Sequence, residues 1–450
     1  MSLAPYSAAE FRRRAIEQTL TLGEESWRDH GDSLLNPGVI PHLEDMKLRD
    51  AAVLIPAVDD GEEARVVGGA VRNALLGIAI NDVDIATTAV PEEVVRRARA
   101  AGIKSVPTGI EHGTVTLVID GHPFEVTTLR EDVETFGRKA KVAFGRDWIS
   151  DAQRRDFTIN GLSVDAAGIV HDHVGGLADI AARRVRFIGD PDRRIAEDYL
   201  RILRFFRFHA AYGAGELDRA GFIACIRGRG GLPTLSAERI RMEMLKLLVA
   251  DGALDAIVAM RDGGLLLPIL GGVAYPRTLA AMIDIERALA LPPSPMLRLG
   301  ALSVAVTEDA RRLATRLRLT NGETKALDSM GHRWWRLDGM DEATAQRRLY
   351  RLGVTRFHDR VLLAWARSGR GTGDSYWRQL ISLPERWQAP TFPLKAVDFI
   401  ARGFAEGPAL GHVLSLAEDS WLAAGFPMQP SALNAIADQT VMRFTRDHRL

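Results

Sequence analysis

Apolar and polar positions divide the chain into two kinds of pattern. From residue 64 to about 165, short strand-like runs alternate with short helical ones. Ala64–Val67 reads as a strand, roughly Ala70–Leu76 as a helix and Asp82–Ala86 as a second strand. Pro91 opens a further helix, because proline is favoured in a first turn. Thr114 to Ile119 alternates cleanly, turns through Asp120-Gly121 and passes into a second alternating run over Phe124–Leu129, which predicts a β-hairpin. Residues 130–150 are charged and lack a period, so they read as a mobile loop. After about Val185 the spacing is helical to the end, with Leu/Ala-rich amphipathic stretches broken by Gly263-Gly264, Gly271-Gly272, Pro292-Pro293 and Pro295. Residues 1 to about 60 read as helices joined by a loop at Asn36-Pro37-Gly38. The predicted fold class is α+β, a small mixed α/β head followed by a long all-α part. The predicted boundaries are 1–60, 61–165, 166–250 and 251–450.

At 450 residues the chain is too long for one core. No run of about 18 apolar residues predicts a membrane span, and the N-terminus lacks a signal-peptide core; the expectation is a cytoplasmic protein without a membrane partner. The single cysteine, Cys225, excludes a disulfide framework and a Cys-based zinc site, and its FIACIRG surroundings read as buried. Lys+Arg and Asp+Glu are equal at 58 each, so net charge argues for no polyanion. The distribution changes that picture. Arg183 to Lys246 is richer in basic than in acidic residues, with Arg201, Arg204 and Arg207 at helical spacing. Such a stripe fits either a phosphate backbone or a solvated helix face.

Candidate chemistry concentrates in GGAVRNALLGIAINDVDIAT, residues 68–87. Gly68 and Gly69 let backbone N–H groups approach a polyphosphate at a helix N-terminus, with Arg72 one turn on. Asp82 and Asp84 lie two apart on a predicted strand and so share a face. Paired carboxylates suit Mg²⁺, which binds through one or two carboxylates plus substrate phosphates. Glu125, on the hairpin, is the natural third carboxylate or else an outward-facing polar residue of the alternation. A bare D-x-D is weak evidence; Asp190-Pro191-Asp192 is another, and it reads as a helix cap. Two later clusters carry polar chemistry. In RRDFTIN, Arg155 offers charge to phosphate, Asp156 an acceptor for ribose hydroxyls and Asn160 an amide. In EDYLRILR, Asp198, Arg201 and Arg204 sit at i, i+3 and i+6 of a predicted helix, with Glu197 placed to brace Arg201. A carboxylate beside a guanidinium matches the Watson–Crick edge of a base. Taken singly, each cluster also fits a charged helix surface.

GGAVRNALLG…DVDIAT, EVTTLR, RRDFTIN, EDYLRILRFFRF and LSAERIRMEMLKLL occur in this order between about Val66 and Val249. Together they resemble the bacterial tRNA nucleotidyltransferase (CCA-adding enzyme) and poly(A) polymerase family, the class II branch of the polymerase-β-like superfamily. The resemblance implies head, neck, body and tail, with a five-stranded head sheet. Residues 166–250 would be a neck that selects nucleotides and binds RNA, and 251–450 a helical body and tail that hold tRNA. Gly68, Gly69 and Arg72 would hold the triphosphate, Asp82 and Asp84 the Mg²⁺ ions, and Glu125 would complete the catalytic carboxylates. Arg155, Asp156, Asn160 and Arg204 would line the nucleotide site. Asp198 and Arg201 would be an amino-acid template for CTP and then ATP. Arg207 and Arg239, the latter in the neck segment Leu235–Glu243, would contact RNA. Two positions depart from the family pattern: Asn73 stands where Asp is usual, and Gly161-Leu162 where Ala-Leu is common.

The implied activity is template-independent addition of CCA to tRNA 3′ ends from CTP and ATP, with the tRNA acceptor arm as partner and no protein partner predicted. Poly(A) polymerase shares the head chemistry, and a CC-adding specialist would have a shorter 130–150 loop. A non-catalytic RNA-binding scaffold would have lost one of Asp82 and Asp84. A small-molecule nucleotidyltransferase would not need the long helical part. His171-Asp172-His173 and His358-Asp359 read as structural rather than metal-binding. The tryptophans at 334, 335, 365, 377, 387 and 421 read as core.

Overall fold

The computed structural model describes residues 61–447 apart from 81, 111–112, 120, 137–138 and 166–167; the N-terminal extension expected over 1–60 lies outside the described residues. Residues up to Ala274, with Arg316–Arg318, form one compact unit, and Tyr275–Thr315 with Leu319 onward form another.

The first unit begins with β1 (Ala64–Val67), α1 (Gly69–Leu76), β2 (Asp84–Thr87), α2 (Pro91–Ala100), β3 (Lys104–Gly109), β4 (Thr114–Ile119) and β5 (His122–Thr128). β6 (Arg130–Phe136), β7 (Lys139–Phe144), α3 (Trp148–Gln153), β8 (Leu162–Val164), β9 (Val170–Asp172) and α4 (Gly176–Ala181) follow. The main sheet runs β3-β4-β5-β2-β1-β8-β9. Only β2 and β5 pair in parallel; the other neighbours are antiparallel. The strands are short and β-branched, and their inward positions (Val66, Ile85, Val115, Leu117, Val126) pack under α1 and α2 with Val71, Leu75 and Val94.

Two expectations are corrected. The sheet has seven strands, not five, because β8 and β9 extend it beyond β1. At three residues each, they are too short to show a period. Residues 130–150 are not a loop but the separate antiparallel ribbon β6–β7 followed by α3. A register shift between Asp132 and Glu134 breaks the period-two pattern that would have revealed the ribbon.

The rest of the unit is helical: α5 (Pro191–Glu197), α6 (Leu200–Tyr212), α7 (Arg219–Gly228), α8 (Ala237–Leu248), α9 (Ala253–Asp262) and α10 (Leu266–Leu270). Asp190 caps α5 by accepting from the Arg193 N–H at 2.8 Å, with Pro191 in its first turn. Phe157 packs against Phe187, Phe205 and Phe208 at ring separations of 4.9, 6.3 and 5.1 Å. This apolar floor joins the RRDFTIN segment to α6, and burying each such ring contributes about 2–3 kcal/mol. Cys225 is fully buried and burial raises its thiol pKa, as a packing residue requires.

The second unit is all helical as described, and includes a 27-residue helix, Glu342–Ser368, that kinks at Gly353. Trp365, Trp377 and Trp421 are fully buried, as expected of core residues. Trp335 is not: it is 52% exposed. No described helix is long and apolar enough to cross a membrane.

Candidate active site

β1 ends at Val67, whose register partner on β2 is Asp84. The chain then turns at Gly68, with φ +69 and ψ −121, a conformation open essentially to glycine alone. Its N–H donates to the Leu162 carbonyl on β8 at 3.1 Å, and a Cβ there would lie 3.0 Å from an Arg155 guanidinium nitrogen. The turn sets the N-terminus of α1 beside the start of β2. On the other side of β2, the parallel pairing places Glu125 directly opposite Asp84. Asp82 and Asp84 are exposed and flank the buried Val83, so both face solvent, as does Glu125. The strand starts at Asp84, so Asp82 lies just before it rather than within it.

Partial desolvation raises the pKa of Asp84; Glu125 and Asp82 push it further and Arg155 opposes them. Anions crowded in this way are relieved by a divalent cation. Among the described residues no three acidic, His or Cys side chains close into a complete metal cage. Two solvent-facing carboxylates, Asp82 and Asp84, suit a cation that completes its coordination with substrate oxygens.

The polar residues downstream are held by one another. Arg155 and Arg154 share the buried carboxylate of Asp151 on α3, with Nη2 of Arg155 at 2.9 Å. Asp156 is buried and accepts from its neighbouring Phe157 N–H, from Asn160 Nδ2 at 2.9 Å and from Arg204 Nε at 2.7 Å. Burial alone would raise the Asp156 carboxyl, but Arg204 and these hydrogen bonds hold it below the ordinary range. Arg72 is also buried rather than displayed. It donates to Asn160 Oδ1, to Asn73 Oδ1 at 2.8 Å and to the Tyr212 hydroxyl at 2.9 Å, and it lies 4.0 Å from the Tyr212 ring centroid. Asn73 donates in turn to the Ala79 carbonyl at 3.1 Å, a bond an aspartate could not make. The second departure has a steric cause: a Cβ on Gly161 would lie 2.6 Å from Val174 Cγ2.

The third cluster corrects the sequence reading. Glu197 to Arg204 is not one helix. Asp198 has extended backbone (φ −155, ψ 107) between α5 and α6, and its Oδ1 accepts from the Leu200 N–H at 3.1 Å. Glu197 does brace Arg201, at 2.5 Å. Arg239 on α8 grips both oxygens of Asp198, at 3.2 and 2.6 Å. Arg204 turns to Asp156 and Arg207 to the buried Glu243 on α8. The expected basic stripe is thus a row of ion pairs, and Arg207 and Arg239 face carboxylates instead of forming an open RNA surface.

Residues 64–186 match the family of the poly A polymerase head domain, and 229–275 match the probable RNA and SrmB-binding site of polymerase A. The mitochondrial CCA tRNA nucleotidyltransferase 1 of Danio rerio is 34% identical over 391 residues, 84% of this chain and 88% of that protein. The chain belongs to the CCA tRNA nucleotidyltransferase family. The CCA-adding enzyme of Leuconostoc citreum (strain KM20) is 39% identical over 229 residues, 50% of this chain and 56% of that one. The crystal structure of the Bacillus stearothermophilus CCA-adding enzyme in complex with CTP superposes with a TM-score of 0.66 at 26% identity, covering 89% of this chain and 99% of that one. Membership in the family implies a divalent cation, which the head carboxylates suit.

Sequence reasoning missed Asp151, Arg194 and Glu243. Arg194 is buried, donates to Glu197 and caps the carbonyls of Arg154 and Arg155, tying α5 to the RRDFTIN segment. Asp151 escaped notice because it lies just beyond the stretch read as a loop, on a six-residue helix too short to show a period. Glu243 was covered by the neck segment but had no visible partner, since Arg207 is 36 residues away.

His171 Nε2 lies 2.9 Å from Asp165, and Asp172 accepts from the Gly176 and Leu177 N–H groups at the start of α4, so this His-Asp-His run is structural.

Proposed function

We propose that the chain adds CCA to tRNA 3′ ends from CTP and ATP. The observation that carries this reading is Asp84 facing Glu125 beside the Gly68 turn, in a chain that also presents Asp198 and Arg201 as fixed acceptor and donor. The terminal ribose hydroxyl attacks the α-phosphorus, the bond to the bridging oxygen breaks and pyrophosphate leaves. Backbone N–H groups at the start of α1 receive the triphosphate, helped by the helix dipole. Arg155, oriented by Asp151, adds a guanidinium close to Gly68. Arg72 acts by locking Asn160, and through it Asp156, against α6. When bound, Mg²⁺ would be held by Asp82 and Asp84 and would neutralise the triphosphate and polarise the attacking hydroxyl.

Base choice belongs to Asp198 and Arg201. Cytosine and adenine each present an exocyclic amine beside an unprotonated ring nitrogen; uracil and guanine present the reverse pattern. Asp198 has one acceptor position left after Arg239 and Leu200. Arg201 commits Nη1 to Glu197 and to the Arg194 carbonyl, which leaves Nε and Nη2 to donate. The head chemistry alone also fits a poly(A) polymerase; similarity to CCA-adding relatives favours the tRNA reading. Arg201→Ala tests it. The expected result is that discrimination of CTP and ATP against UTP and GTP falls by about 10-fold or more, one or two hydrogen bonds' worth. Unchanged selectivity with equally reduced rates for all four nucleotides would contradict it.

A further inference from the structure

The Gly68-Gly69 turn lies between two guanidiniums. A Cβ on Gly68 would lie 3.0 Å from Arg155 Nη1, and a Cβ on Gly69 would lie 3.6 Å from Arg72 Nη2. Asp151 neutralises the first, at 2.9 Å. Among the described residues no carboxylate pairs with the second. Arg72 is 6% exposed, and its partners, Asn160 Oδ1, Asn73 Oδ1 and the Tyr212 hydroxyl, are all uncharged. In the same unit Arg201, Arg204, Arg207 and Arg239 each meet a carboxylate.

The surroundings of Arg72 add to the imbalance. Arg72, Arg204 and Arg207 gather round the Phe208 ring, with guanidinium carbons 5.2, 5.1 and 4.2 Å from its centroid. Two carboxylates serve these three cations. Asp156 pairs with Arg204 at 2.6 Å, and Glu243 pairs with Arg207 and lies 3.7 Å from Arg204. One positive charge is left over, and it belongs to Arg72. Burial depresses the Arg72 pKa, as do Arg207 and Arg204, against the Tyr212 hydroxyl and Asp156. The guanidinium stays protonated even so. A charge held out of water without a counter-ion is costly, and an arriving anion relieves that cost.

Asn73 is the reason the charge stands. Its amide oxygen receives Arg72 Nη2 at 2.8 Å and Nε at 3.1 Å, in the place where aspartate is usual in the family pattern. The same fork on an aspartate would be a neutralised pair. We propose that Asn73 is a positioning residue for the substrate's polyphosphate: by leaving Arg72 unneutralised, it keeps a positive charge beneath the Gly68-Gly69 turn that draws the triphosphate onto the N–H groups there. Arg72 acts through its field rather than by contact, since its donors are turned to Asn160, Asn73 and Tyr212. This inference rests on the reading that the ligand is a nucleoside triphosphate.

The test measures Kd of the full chain for inorganic triphosphate and for CTP, with Mg²⁺ present and without tRNA. Wild type is compared with Asn73→Asp and Asn73→Ala, each checked by circular dichroism for an unchanged fold. Asn73→Asp should raise Kd about 5-fold or more for both ligands, the scale of one unit charge acting on several phosphate charges. Asn73→Ala drops the hydrogen bonds to Arg72 but keeps the net charge, so its Kd should stay within about 2-fold of wild type. The gap between wild type and Asn73→Asp should narrow as salt rises. Saturating inorganic triphosphate should also raise the melting temperature of wild type more than that of Asn73→Asp. Equal Kd for wild type and Asn73→Asp would overturn the proposal. So would a loss of about 5-fold or more in Asn73→Ala, because a hydrogen bond rather than a charge would then set the affinity; that result needs no folded Asn73→Asp. Because binding is read without catalysis, an error in the reaction assignment would appear separately, as triphosphate binding that depends on position 73 without extension of tRNA.

Discussion

At the scale of single residues, Asp84 connects structure to chemistry most closely. Its pKa is raised because desolvation and two neighbouring carboxylates disfavour the anion. A raised folded pKa lowers stability at pH values above the ordinary carboxylate range, and that cost disappears once the pH falls below it. Without divalent cation, Asp84→Asn should therefore melt at the same or a higher temperature than wild type at pH 7, with any gain gone near pH 3. The same variant should lose nucleotidyl transfer by about 10²–10⁴-fold, the worth of several kcal/mol of charge stabilisation. Cation affinity should fall, as pH drops, sooner than for an unperturbed carboxylate. Melting curves against pH, a nucleotide-incorporation assay and a cation titration check the three in turn; a metal-free Asp84→Asn that melts markedly lower at pH 7 would contradict the electrostatic account. Asp82, Asp84 and Glu125 were legible in the sequence because two lie on one local pattern and the third on the adjoining hairpin. The environment of Arg72 was not, because Asn160 and Tyr212, which bury it, come from 88 and 140 residues away.

At the scale of elements, the break between α5 and α6 decides how Asp198 and Arg201 are presented. Helical spacing alone ran through Asp198, but a carboxylate that takes the Leu200 N–H and is gripped by Arg239 starts a new helix instead. Side-chain partners distant in sequence thus overrode a local period, and the same holds for the stripe that became ion pairs. The network Arg72–Asn160–Asp156–Arg204 joins α1, the RRDFTIN segment and α6. Asp156→Ala would strip the paired Arg204 of its closest acceptor and should cost about 3 kcal/mol of stability, the scale for breaking a buried pair. Denaturant unfolding measures it. A cost below about 1 kcal/mol would mean that Glu243, 3.7 Å from Arg204, takes over the charge.

At the scale of the whole molecule, the mixed head and the long helical remainder were legible from the change in hydrophobic period alone. The sheet's outer strands were not, being three residues long, and the β6–β7 ribbon was hidden by its bulge. The exposed Trp335 also could not be told from its buried counterparts by composition. In the proposed reading the head carries the phosphoryl chemistry, and Asp198 with Arg201 carries the choice that makes the product CCA. Incubation of the protein with tRNA lacking its 3′ CCA, with CTP and ATP and sizing of the product, tests that claim most directly. Addition of C, C and A followed by arrest is the predicted result; a long A-tract, or addition that continues without arrest, would contradict it.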